Sequence, residues 1–173
     1  MDANELRSLQ APLKEQYRTD PDSAVHTMRA TGVVQSNLTC RVETPSGRVD
    51  AGLHPAAGGS GEWACSGDML LQSLIACAGV TFSAVSTAMG IPIDQATITA
   101  QGEIDFKGTL GIDREAAIGF RSIQMKFDVQ SSADPEKIQK LIELTERYCV
   151  IYQTLKNPPE VTSDVSITAK TAD

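Results

Sequence analysis

The chain carries no cluster of Lys or Arg. Its 15 basic residues are outnumbered by 22 Asp and Glu, for a net charge of −7. Binding to nucleic acid by phosphate neutralisation needs clustered cations, so that class of function is disfavoured. None of the four cysteines forms a C-x-x-C pair, which leaves a zinc site built from Cys40, Cys65, Cys77 and Cys149 with little support. With only two histidines, His26 and His54, a Cys-His hydrolase has little to stand on. The Gly-rich stretch 56–63 is not followed by Gly-Lys-Ser or Gly-Lys-Thr, so it is a loop and not a phosphate cradle. The opening residues, MDANELRSLQAPLKEQ, lack the basic and apolar regions of a signal peptide. The expectation is a soluble cytoplasmic protein. In that reducing environment the cysteines would be core thiols, ligands or reactive thiols rather than structural disulfides. No internal repeat or low-complexity tract is present.

What the chain does have is one long apolar run, Ala64 to Gly90. Between Asp68 and Met89 there is no Lys, Arg, Glu, Pro or Trp. A helix over that stretch would be about 33 Å long. Leu70, Leu71, Leu74, Ile75, Ala78, Phe82 and Val85 occupy most of its circumference. Such a helix is either a membrane span or the centre of a core. Gln72, Ser73, Thr81, Ser83, Ser86 and Thr87, with no basic flanks, argue against lipid. The spacing predicts a buried central helix carrying a thiol, Cys77. Ser66 is the expected N-cap, Asp68 suits the first turn, and Gly90 followed by Pro92 ends it.

Residues 1–23 are polar, with Leu6, Leu9, Leu13 and Tyr17 at near-helical spacing around Pro12. They predict an N-terminal arm of one or two short helices, too weakly apolar to be stable alone. The remainder, 24–173, reads as one domain. Thr39–Thr44 and Arg48–Leu53 flank the turn signal Pro45-Ser46-Gly47, and a third strand precedes them. Ala96–Lys107 and Arg121–Gln130 alternate as half-wet strands. Asp134 and Pro135 start a second helix, whose stripe runs through Ile138, Leu141, Ile142, Thr145, Tyr148, Cys149 and Tyr152. Val161–Ala169 reads as a closing strand. Antiparallel strands segregated from helices give an α+β fold. The central helix is too apolar for one sheet to cover, which suggests a subunit interface.

Cys77 lies among Ala76, Ala78 and Gly79, small neighbours that leave room at the sulfur. It is either a small core residue or a nucleophile. Cys149, on the second stripe, faces the same choice. Together they could be an attacking and a resolving thiol. Cys65 stands beside a helix N-terminus, where a thiol pKa falls. Cys40 reads as strand packing. Asp68 either offsets the helix dipole or orients a polar group. It is nine residues from Cys77 and projects from the opposite side of the helix. Arg41 and Arg48 are the guanidinium donors on the hairpin, and His54 is a loop histidine at a strand end.

Three segments, Ser66-Gly67-Asp68-Met69-Leu70-Leu71, LIACAGVT and ERYCVIYQTL, resemble the OsmC/Ohr family of osmotically inducible and organic-hydroperoxide-resistance proteins. The similarity extends over about residues 25–170 and leaves the arm outside. It implies antiparallel sheets wrapped around two long central helices in an intertwined homodimer. It also implies a thiol peroxidase: Cys77 would attack an organic hydroperoxide and become a sulfenic acid. Cys149 would condense with it to a disulfide, and a dithiol such as a lipoyl group would reduce that bond. No cofactor or metal is called for. Gly67-Asp68 stands where these peroxidases have Pro-Glu, so Asp68 is the approximate carboxylate. Gln35-Ser36-Asn37 lacks their arginine, for which Arg41 is the nearest substitute. Cys149-Val150 replaces their cysteine-proline pair. The alternative is a non-catalytic homodimer of the same fold that binds a small apolar ligand.

Overall fold

A computed structural model describes residues 1–168. The N-terminal arm is one helix, α1 (Ala3–Thr19). Asp2 accepts from the Asn4 and Glu5 amides, and Glu5 reaches back to the Asp2 N–H, a reciprocal cap. The helix runs through Pro12, and none of its residues is buried. It leans on the long helix described below, and Leu6 and Tyr17 on it are half-buried.

The first sheet is β1 (Thr31–Gln35), β2 (Thr39–Thr44) and β3 (Gly47–Gly52), paired antiparallel. Asn37 and Leu38 both have φ near 60°, the left-handed geometry of a tight hairpin turn. A fourth strand, β4 (Ala64–Cys65), pairs parallel with β3. It corrects the all-antiparallel reading, because two residues are too few to show a period of two. This sheet meets the rest of the chain chiefly where β4 feeds the next helix.

The apolar run forms α2 (Ser66–Met89). Its N-cap is Cys65 rather than Ser66, and no side chain bonds there. Asp68 is the acidic residue of the first turn, as expected. Gly90, at φ 64°, closes the helix by donating its N–H to the Ser86 and Thr87 carbonyls. Next come β5 (Gln95–Ile104), the short α3 (Phe106–Thr109) and β6 (Phe120–Gln130). Strands β5 and β6 pair antiparallel from Gln95↔Gln130 to Ile104↔Phe120, with an irregularity at Glu103/Ile104. Ile98, Phe127 and Val129 point from this ribbon toward α2 and the following helix, joining Phe82, Ile91 and Leu141 in the core. Burying side chains of that size stabilises the fold by about 1.5–3 kcal/mol each.

The second expected helix is two helices, α4 (Pro135–Tyr148) and α5 (Val150–Lys156). Cys149 breaks it, with backbone angles of φ −73° and ψ 109°. The closing strand expected at 161–169 is not formed over 161–168, and Ala169 lies outside the described residues. Residues 161–168 belong to neither sheet.

Burial of α2 is also less than its composition predicts. Only Leu74, Ala78, Phe82 and Ser86 are buried, and Val80 is 73% exposed. By length and composition α2 could cross a membrane. Here it packs against α4, α5 and β5. The chain exposes 13235 Å², whereas a compact monomer of this length exposes about 8,000 Å². Val33, Val34, Val161, Val165 and Ile167 contribute to the excess.

Candidate active site

The helix break at Cys149 builds the site. At the end of α4 the Cys149 N–H still bonds to the Thr145 carbonyl at 2.9 Å. The Cys149 carbonyl then accepts from Gln153 at 2.9 Å, opening α5. Its Sγ accepts from the Tyr152 N–H at 3.4 Å and so serves as the N-cap of α5. The Gln153 side chain donates back to the Glu146 carbonyl at 2.9 Å, satisfying one of the orphan acceptors at the end of α4. The backbone groups of Cys149 are thus paired on both sides of the junction. Cys149 itself has no exposed surface.

Cys77, half-buried on α2, faces this junction. Burial pushes its thiol pKa up. The Ile151 backbone, the Cys149 thiol, the Val150 backbone and the Thr81 side chain lie beside it, and as polar neighbours they together hold it below the ordinary thiol value. Cys149 goes the other way. Burial raises it, the Tyr152 amide partly offsets this, and the Cys77 sulfur raises it further. The two thiols are therefore differentiated: one half-open and inclined to ionise, its neighbour sealed and inclined to keep its proton. That is the arrangement required of an attacking thiolate and a resolving thiol. Burial also raises the Tyr152 hydroxyl, assisted by Glu146.

The other residues singled out in the sequence sit elsewhere in the chain. Asp68 is nine residues before Cys77, about 13 Å along the helix. It lines a cavity of about 550 Å³ with His54, Cys65, Glu103 and Arg121. The His54 ring stacks on Phe106 at 4.9 Å, and its Nδ1 accepts from the Ala56 N–H at 3.0 Å. Arg41 donates from Nε to Asp50 at 2.9 Å, and Arg48 lies 3.6 Å from the other oxygen of the same carboxylate. Neither Asp68 nor Arg41 is among the groups holding Cys77 within one chain. Cys40 lies in β2 with its sulfur against Gly32.

Sequence reasoning missed the Val150 and Ile151 amides and the Thr81 hydroxyl. Backbone donors leave no residue-type signal. Thr81, four residues after Cys77 on one helical face, was readable by spacing.

A family model described as OsmC-like protein matches residues 59–164. Among solved structures, an OsmC-like protein from Mycoplasma pneumoniae superposes with a TM-score of 0.65 at 18% identity, covering 77% of this chain and 89% of its own. An organic hydroperoxide resistance protein from Elizabethkingia anophelis, with bound thiocyanate, gives 0.62 at 18%, covering 78% and 91%. Another from Legionella pneumophila gives 0.61 at 14%, covering 77% and 91%. At such identities the likeness is one of fold. No curated protein matches the chain.

Proposed function

Since the chain belongs to the OsmC-like protein family, we propose that it is a thiol-dependent peroxidase that reduces organic hydroperoxides through Cys77 and Cys149. The observation that carries this reading is a half-buried Cys77 on α2 packed against the α4–α5 junction that holds the buried Cys149, with the Cys77 thiol held below the ordinary value and the Cys149 thiol above it. The Cys77 thiolate attacks the distal oxygen of the peroxide and the O–O bond breaks. Cys77 becomes a sulfenic acid, and the leaving oxygen takes up a proton and departs as an alcohol. The Cys149 sulfur then displaces the sulfenic hydroxyl, which leaves as water with the thiol proton. A dithiol such as a lipoyl group restores both thiols and is itself oxidised to a disulfide. Cys149 is sealed beside Cys77, where a resolving thiol is required.

The working unit on this reading is a homodimer. Support comes from the surface a compact chain would not expose and from the sheet β1–β4, joined to the body mainly at β4. An unpaired Val161–Thr168 segment points the same way. On this reading Asp68 is the approximate match to the carboxylate of these peroxidases and Arg41 the nearest substitute for their arginine. Residues 1–23 form an arm on a domain spanning 24–173, and the protein works in the cytoplasm. The alternative, a non-catalytic homodimer binding a small apolar ligand, draws on an open groove of about 750 Å³ between α2 and the start of β5, lined by Ala76, Phe82 and Ile98. Steady-state reduction of cumene hydroperoxide with dihydrolipoamide separates the two. Turnover that is abolished by Cys77→Ser supports the enzyme, and absence of turnover in the wild type removes it.

A further inference from the structure

Helix α1 is held by its ends rather than by a core. The reciprocal cap of Asp2 and Glu5 fixes its start, and Arg18 pairs with Glu15 at 3.1 Å near its end. Tyr17 ties it to the segment that follows: its hydroxyl lies 3.5 Å from His26 Nε2, and the two rings meet edge-on at 6.4 Å. Against this, Pro12 removes a hydrogen bond from the helix interior. None of the 17 residues of α1 is buried. A helix of that length is marginal in water unless its apolar face is covered.

That face is covered on one side only. Ala3, Leu6, Gln10 and Tyr17 fall in one sector of the helix, about 60° wide at 3.6 residues per turn. These four are its half-buried residues, and α1 packs on α2. Leu9 and Leu13 continue the apolar stripe in the adjoining sector, and they are 60% and 47% exposed. Helix α2, on which α1 sits, leaves Val80 exposed in turn.

The remaining question is what covers the leucine flank. With its cap residue α1 sets Asp2, Glu5 and Glu15 against Arg7, Lys14 and Arg18, whereas a helix that lies on anionic lipid has a basic polar face. The chain exposes 13235 Å² where a compact monomer exposes about 8,000 Å². That excess is as large as the surface, about 2,000–5,000 Å² or more, that obligate interfaces between copies remove. Apolar surface left open on one copy is matched by the same surface on another.

We propose that the Leu9–Leu13 flank of α1 is a docking surface for a second copy of this chain. The arm clamps the pair while keeping its seat on its own α2. The clamp is an addition to the family domain, since α1 lies outside the matched residues 59–164. It rests on the homodimer of the proposed function and is independent of the thiol chemistry.

Sedimentation equilibrium of the full-length protein over a dilution series tests this. Leu9→Ala/Leu13→Ala removes the flank and keeps a strong helix former at both positions. The dimer dissociation constant rises about tenfold. Leu9→Asp/Leu13→Asp raises it further, because the interface would bury unpaired carboxylates. Ser8→Asp/Ala11→Asp adds the same charge on the far side of α1 and leaves the constant unchanged. An unchanged constant in both leucine variants, or an equal rise in the Ser8/Ala11 control, overturns the proposal. A monomeric wild type overturns the clamp and the homodimer together. The clamp and the enzyme fail separately. A dimer weakened through Leu9 and Leu13 in a protein whose Cys77 ignores peroxide keeps the clamp and removes the enzyme. Peroxide turnover by a dimer indifferent to both leucines keeps the enzyme and removes the clamp.

Discussion

The Sγ of Cys149 accepts the backbone N–H of Tyr152 at 3.4 Å, so the buried thiol is the N-cap of α5. The Val150 and Ile151 amides of the same turn lie beside Cys77 and help to hold its thiol below the ordinary value. One short helix thus bears on both sulfurs. The first-turn amides of a helix have no intrahelical acceptor, and here the Cys149 sulfur supplies one.

Replacing Cys149 by Ser separates the two roles. Serine is among the best N-cap residues, so α5 persists and stability stays within about 1 kcal/mol of the wild type. The resolving thiol is gone, so peroxide leaves Cys77 as a sulfenic acid that dimedone traps, read by mass spectrometry. A Cys149→Ser protein that yields no dimedone adduct after peroxide contradicts the assignment.

The pH dependence follows from the same contacts. Cys77 is held below the ordinary thiol value, so its alkylation by iodoacetamide reaches half-maximal rate at a lower pH than that of an unperturbed cysteine. Cys149 has no exposed surface, and peptide mapping separates the Cys77 adduct from those of the half-buried Cys40 and Cys65. For stability, the folded Cys77 pKa is lowered. Its contribution is present above the unfolded pKa and is lost as pH falls through the folded one. The folded Cys149 pKa is raised, so its contribution is present below the unfolded pKa and is lost as pH rises through the folded one. Thr81→Val moves the alkylation midpoint up and Thr81→Ser does not. A wild-type midpoint at or above the ordinary value would refute the thiolate.

Much of this fold was legible because its patterns are local. The apolar run with Asp68 at one end and Gly90 at the other forms the helix that the end signals indicate. The alternation around Ile98 and Phe127 gives β5 and β6. The break at Cys149 was not legible, because the stripe from Ile138 to Tyr152 keeps helical spacing across it and the departure is one residue's ψ. Nor was the missing strand after Val161: alternation marks a segment able to pair, while pairing is decided by tertiary contacts, and these leave 161–168 outside both sheets. At the site, Cys77 and Cys149 were visible as residue types, and their meeting was a matter of tertiary packing. Asp68 and Arg41 lie apart from the pair within one chain because one is on the far side of α2 and the other is held by Asp50.

Leu141 is fully buried and belongs to the core with Phe82 and Ile91. Leu141→Ala removes its transfer free energy and leaves a cavity, which costs about 2–5 kcal/mol. Chemical denaturation should show a lowered midpoint with an unchanged slope. A loss under about 1 kcal/mol would mean that the core does not centre on α4.

Val80 stands 73% exposed in the middle of the most apolar helix of the chain. A homodimer that covers this face would be broken by a carboxylate there, because an unpaired buried charge is strongly unfavourable. Sedimentation equilibrium should return twice the chain mass for the wild type and the single-chain mass for Val80→Glu. A monomeric wild type, or a Val80→Glu dimer as tight as the wild type, would remove that interface.

The central claim is that Cys77 and Cys149 form a redox pair, and intact-mass analysis of the reduced protein after a brief pulse of cumene hydroperoxide tests it most directly. The account predicts a loss of two hydrogens, mapped by peptide digestion to a Cys77–Cys149 disulfide and reversed by dihydrolipoate. Unchanged thiols under excess peroxide would contradict it.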